Sequence, residues 1–297
     1  MKTVKILLSI ILTTIVLAGC DIGEAIKDEA TKELKTQSKK ALEDLKNETF
    51  SKSTPKIKNS NDDLALINAE TNDENYAFIN DNKTSLSKAD QELINKKGNS
   101  EFWAIYSDLD QLGRGGKVTA LVTHQAVLNN SSSSKERPQF DSSVHLAGEY
   151  KDGQYDPIKQ TWKGTQSNNQ ILQLEGYRGY IYNKSHSLAW SLGGDMETHN
   201  LTLGTRAQNV GSNKASDGGG MGYPETQVRN AIYDKPETNV FYEVTPVYKG
   251  DELLPRGSHV RAYSINDNGK TVNLNVWIAN KQKGVTINYS NGTYTTT

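Results

Sequence analysis

The amino-acid sequence predicts an α+β fold, and three observations carry that prediction. Stretches with the two-residue periodicity of half-buried strands crowd the second half of the chain, at residues 177–183, 240–248, 259–265, 271–279 and 285–289. Helical stretches are fewer and fall irregularly between them, at 88–97, around 200–209 and at 224–233. All four tryptophans stand beyond residue 100, so the core belongs to the C-terminal two-thirds of the 297 residues. No internal repeat is visible, and strands mixed with a few helices in this way form an α+β pattern.

From the N-terminus, the chain begins with a processing segment. Lys2 and Lys5 precede an apolar run over 6–17, broken only by Ser9, Thr13 and Thr14, which is too short to span a bilayer comfortably. Leu17-Ala18-Gly19-Cys20 follows and resembles a bacterial lipobox. Residues 1–19 then form a lipoprotein signal peptide, and Cys20, the only cysteine, is the lipidation site. Two acyl chains on one cysteine suffice for stable anchoring, so the expected location is the cell membrane, facing the extracellular side. Residues 20–73 are rich in Lys, Glu, Asp, Asn and Ser, with Phe50 as the only aromatic. Such a stretch cannot bury a core of its own and reads as a charged stalk. Within it Ile26, Ala30, Leu34, Ala41, Leu42 and Leu45 recur at near-helical spacing, which predicts a polar amphipathic helix over 24–47. That helix is a spacer, or else a membrane-surface or coiled-coil element. The folded domain is then expected over 74–297.

Inside the domain, two Asn and four Ser over 129–134 read as a surface loop. The strand over 177–183 runs toward His186, and a Gly193-Gly194 turn leads to the polar segment that holds Asn200, Arg206 and Asn209. The run Gly218-Gly219-Gly220 reads as a mobile loop, and Pro224 suits the first turn of the helix after it. The last strand ends in Ser290-Asn291-Gly292, a tight hairpin signal.

Composition limits the chemistry. A single cysteine excludes an intramolecular disulfide framework and a zinc ribbon. The whole chain carries 34 basic against 35 acidic residues, so no protein-wide positive field draws in nucleic acid. Any such binding depends on a local site.

One stretch supplies that site. Asn183-Lys184-Ser185-His186 is followed at 14, 23 and 39 residues beyond the histidine by Asn200, Asn209 and Glu225. Together with Tyr106-Ser-Asp-Leu-Asp-Gln-Leu-Gly-Arg114 and Gly204-Thr-Arg206-Ala-Gln-Asn209, this pattern resembles the DNA/RNA non-specific endonuclease family of ββα-metal nucleases, in particular the secreted nucleases of Gram-positive bacteria. The resemblance spans about residues 76–297. It implies an antiparallel sheet flanked by helices, with His186 as general base, Asn209 as the protein ligand of Mg²⁺ (Mn²⁺ substituting) and Glu225 orienting metal-bound water. Asn200 is implied to organise the site and Arg114 to stabilise the phosphate, with Arg206 and Arg229 as further phosphate candidates. Where the family has Asp-Arg-Gly before the histidine, this chain has Asn183, Lys184 and Ser185.

These residue types suit phosphodiester hydrolysis whatever their ancestry. The reaction needs a base near neutrality and cations for the developing charge, which His, Mg²⁺ and Arg supply. Mg²⁺ prefers oxygen ligands and keeps much of its water, so one Asn carbonyl is a reasonable anchor. Each residue also has a plainer role open to it: Asn200 and Asn209 as helix caps, Glu225 as a first-turn carboxylate, Arg229 as a surface cation. The expected substrates are DNA and RNA, held through phosphate and sugar because no base-reading motif is present. The alternative is a degenerate nuclease-fold lipoprotein that binds extracellular nucleic acid without cutting it.

Overall fold

The computed structural model describes residues 54–58, 62–131, 134–211 and 218–297. Cys20 and the segments expected as signal peptide and as a helix over 24–47 lie outside the described residues. In chain order the strands are β1 (Lys56–Ile57), β2 (Tyr76–Ile79), β3 (Trp103–Tyr106), β4 (Val118–Val122), β5 (Gln154–Asp156), β6 (Thr161–Lys163), β7 (Ile171–Leu174), β8 (Tyr177–Tyr180), β9 (Tyr182–His186), β10 (Leu201–Thr205), β11 (Val240–Val247), β12 (Gly257–Ser264), β13 (Asn273–Ala279), β14 (Val285–Ile287) and β15 (Tyr294–Thr296). The helices are α1 (Asp63–Ile67), α2 (Lys88–Lys97), α3 (His124–Asn129), α4 (Arg206–Val210) and α5 (Gly222–Asp234). The α+β class is the expected one. Among the described residues no helix is long and apolar enough to cross a membrane.

Seven strands form the main sheet in the order β1-β2-β13-β12-β11-β4-β3, antiparallel throughout except for the β1–β2 edge pair. On one face Val240, Tyr242 and Val244 of β11, Val260 and Ala262 of β12, and Val276 and Ile278 of β13 are buried against Val228 and Ile232 of α5. Alternate residues of a strand point to opposite faces, so the sheet turns Glu243 and Arg261 the other way. There Arg261 bonds both Glu243 (2.8 Å) and Asp90 of α2 (3.1 Å). Asp90 also accepts from the Ser87 backbone at the N-terminus of α2, while Ser87 accepts from the Asp90 N–H, a capping box. One carboxylate thus starts the helix and pins it to the sheet.

Two elements differ from expectation, and the compact unit of the described residues spans Thr54–Thr297. β1 pairs in parallel with β2, and Leu66 of α1 is buried with Ile79 and Trp277 on the far face of the sheet. The described part of the expected stalk lends Ile57, Leu66, Ile67 and Ala69 to a core built elsewhere. The strand expected over 177–183 is two strands broken at Ile181, which is buried and accepts from the Arg206 N–H. The helix expected around 200–209 is instead β10 followed by the single-turn α4. All five residues of β10 are buried in a strand pairing, and Thr205 then caps the helix through the Gln208 N–H.

Removing the Asp90 carboxylate takes away both a helix cap and the partner of a largely buried guanidinium. Asp90→Ala is expected to lower unfolding free energy by about 3 kcal/mol, measured by urea denaturation, with Lys88→Ala on the exposed face of the same helix as the near-neutral control.

Candidate active site

β9 and β10 pair antiparallel over five residues, with His186 opposite Leu201, Lys184 opposite Leu203 and Asn183 opposite Gly204. α4 starts at the next residue and folds back onto both strands. That return needs a glycine, because a Cβ on Gly204 would collide with the Gln208 side chain. Asn209 is thereby placed beside the strand that carries the histidine, where its Oδ1 accepts from Ser185 Oγ at 3.3 Å. α5 enters from the other side. Gly220, in the left-handed region at φ 53°, fits against the Gln208 carbonyl, and the Met221 N–H donates to the same carbonyl. Gly219 and Gly220 are buried, so the glycine run expected as a mobile loop is a close-packed link between α4 and α5.

These elements enclose a polar cleft of about 310 Å³, lined by Arg137, Lys184, His186, Asn209, Glu225 and Arg229 among others. His186 is 7% exposed. Its ring packs against Phe140 at 5.6 Å, and its Nε2 lies 3.2 Å from the Met196 sulfur. Burial first and the Arg137 charge second push its pKa down to about 3, against an opposing hydrogen bond at the Asp195 backbone. The imidazole is therefore neutral at ordinary pH, the state a proton acceptor requires. Glu225, in the first turn of α5, responds in the opposite direction. Burial pushes its carboxyl up to about 8, while Arg229 and Arg137 pull it down.

Asn200 is fully buried and does not line the cleft. Its Oδ1 accepts from the Leu188 N–H (2.8 Å), and its Nδ2 donates to the Leu188 and Asp195 carbonyls (both 2.9 Å). It ties both ends of the turn that follows His186, an organising position. Arg229 lines the cleft and bonds Ser191 and Thr226. Lys184 also lines it, with its amine held by the Val144 carbonyl and 3.8 Å from Glu149.

Arg114 is not brought to this cleft. Its guanidinium bonds Asp110 (2.7 Å) and the Gly250 and Glu252 carbonyls, and lies 4.4 Å from the Tyr248 ring centre. It is a tie between two loops, its donors committed to protein acceptors. Arg206 likewise faces the Tyr177 ring instead of the cleft. The cation that sequence reasoning missed is Arg137, exposed at the end of the serine-rich tract and acting on both His186 and Glu225. Nothing local distinguishes it from the other basic residues of a neutral chain.

A hard divalent cation fits this donor set. Among the described residues no three His, Cys, Asp or Glu side chains gather as a metal cluster, which disfavours a closed protein-ligand site. Asn209 Oδ1 and the Glu225 carboxylate, both lining the cleft, offer oxygen ligands.

Residues 140–266 match the DNA/RNA non-specific endonuclease family. A deoxyribonuclease of Streptococcus dysgalactiae subsp. equisimilis is 29% identical over 245 residues, spanning 77% of this chain and 72% of that protein. Among solved structures, Sda1 nuclease with bound zinc ion superposes with a TM-score of 0.61 at 27% identity, covering 75% of this chain and 97% of the other. NucA from Streptococcus agalactiae with magnesium ion bound shares the fold, with a TM-score of 0.53 at 19% identity over 76% of this chain and 89% of its own. Residues 140–266 thus carry a DNA/RNA non-specific endonuclease domain, and the proteins that the chain resembles over three-quarters of its length are nucleases.

Because the folded state resists ionising Glu225 until about pH 8, while an unfolded carboxyl ionises near 4.5, this group costs the cation-free fold stability as pH rises through that window. Glu225→Gln is expected to unfold at a higher temperature than wild type at about pH 7.5 in chelator, with the gain shrinking toward about pH 4.5. Thermal melts across this range check it.

Proposed function

We propose that the chain is a Mg²⁺-dependent endonuclease that hydrolyses DNA and RNA without sequence preference, with Mn²⁺ able to substitute. The observation that carries this reading is the convergence of His186, Asn209 and Glu225 on one cleft from β9, α4 and α5. Asn209 would hold the cation together with water and phosphate oxygens. Bound there, the cation supplies charge for the oxygen that leaves phosphorus.

The chain's own residues do the rest. Neutral His186 takes the proton of the water that attacks phosphorus, and the phosphodiester P–O bond breaks on the far side. Arg137 and Arg229 hold the non-bridging oxygens, a task the sequence assigned first to Arg114, with Arg206 and Arg229 as further candidates. Glu225 orients water in the cleft, and Asn200 keeps the turn after His186 in place. Non-specificity is supported by the lack of any base-reading motif in the sequence, since contacts to phosphate carry no sequence information.

The replacement of the family's Asp-Arg-Gly by Asn183-Lys184-Ser185 is compatible with activity. Lys184 spends its charge on Val144 and Glu149, and Ser185 donates to Asn209, so both residues support the site from within the fold. The reading extends to location: the Leu17-Ala18-Gly19-Cys20 sequence supports a lipid anchor on Cys20 and action outside the cell membrane.

Incubating the full chain with supercoiled plasmid and with RNA tests this directly. Cleavage of both is expected with Mg²⁺ and none with chelator, and His186→Ala should lower the rate by about 10² to 10⁴. A folded wild type that binds DNA but never cuts it would favour the degenerate binder, and full activity of His186→Ala would displace the base.

A further inference from the structure

The sheet beneath the cleft holds a polar group that this chemistry leaves unused. Tyr242 of β11 is fully buried, and its hydroxyl has no hydrogen-bond partner. Buried polar atoms are nearly always bonded, so an orphan of this kind calls for a physical reason. Packing does not supply one, because a phenyl ring would fill the same space without the unpaired oxygen.

The placement of the orphan does. Tyr242 lies with Val240 and Val244 on the sheet face that receives α5. On α5, Glu225, Val228 and Ile232 recur at i, i+3 and i+7 and so share one stripe. Val228 and Ile232 are buried in the same cluster as Tyr242. Glu225 is therefore the cleft-end member of the stripe that α5 turns toward the sheet. Burial raises the Tyr242 pKa, and the Glu225 charge raises it further, in keeping with this placement. The chemical match is complementary, since an ionised carboxylate only accepts hydrogen bonds and a phenol has one O–H to give.

Building on the role of Glu225 proposed above, we infer that Tyr242 is its positioning residue: the hydroxyl donates to the Glu225 carboxylate in the working enzyme and fixes which oxygen faces the water in the cleft. Tyr242 touches neither substrate nor cation. It acts through Glu225, as residues behind a reacting group do when they set its orientation.

The test is Tyr242→Phe in the full chain, measured for plasmid cleavage, for the Mg²⁺ concentration giving half-maximal rate, and for thermal unfolding in chelator. The fold is expected to be retained, with an unchanged or higher melting temperature because the orphan is gone. kcat is expected to fall by about ten- to one-hundred-fold, with KM for DNA nearly constant and the Mg²⁺ requirement raised. In a Glu225→Gln background the same substitution should cause little further loss, because the two side chains act as one unit. A folded Tyr242→Phe enzyme with wild-type kcat and Mg²⁺ requirement overturns the inference. So does a loss that adds in full to that of Glu225→Gln, which also serves as the deciding result if the single variant proves unstable and kcat must be taken per folded molecule. A wild type that cleaves neither with nor without divalent cation overturns the nuclease reading, and this inference with it.

Discussion

The five-residue pairing between β9 and β10 is the constraint on which the site depends. Successive side chains of a strand point to opposite faces, so a slip of one residue would turn His186 away from the cleft and Ser185 into it. The return helix α4 fixes the register from outside. It follows β10 without a spare residue, is capped by Thr205, and packs so closely on the strand that position 204 must lack a side chain. Asn209 reaches its place because these local conditions hold together. The main sheet contributes the third member: it buries one stripe of α5 and so presents Glu225 at the end of that stripe.

The site is costly for the protein to maintain. His186 is held neutral far below its usual pKa, and Glu225 is disfavoured as an anion, although both stand among Arg137, Arg229 and Lys184. Burial drives both effects and opposes charge of either sign. Under the proposed function, a bound cation and polyanion would offset this cost. The Arg261 network and the apolar face packed on α5 provide rigidity away from the cleft. Catalytic groups on such a scaffold can stay strained without the fold yielding.

Where the controlling interactions are local, the sequence was a good guide. α2 occupies residues 88–97 as its spacing predicted, because Ser87 and Asp90 define its start within four residues. The long strands β11, β12 and β13 were legible from their apolar periodicity, and the Asn291-Gly292 turn from its residue types. His186, Asn209 and Glu225 were found through a spaced pattern, and the fold brings those three together. What stayed hidden depends on distant partners. Leu66 reads as part of a polar stalk until Trp277 is placed beside it. β10 reads as helix until β9 pairs with it. Arg114 sits in a suggestive motif, but the loop carbonyls that claim it come more than 130 residues later. Arg137 and Tyr242 carry no local signature at all, since one is an ordinary surface cation in sequence and the other an ordinary core tyrosine.

The central claim is that Asn209 and His186 face one cation site. NMR of the histidine ring protons during titration with Mn²⁺, a paramagnetic stand-in for Mg²⁺, tests it most directly. Substoichiometric Mn²⁺ is expected to broaden the His186 signals selectively in the wild type and to leave them sharp in Asn209→Ala. Broadening centred on another histidine, or broadening of His186 that survives the loss of Asn209, would contradict it.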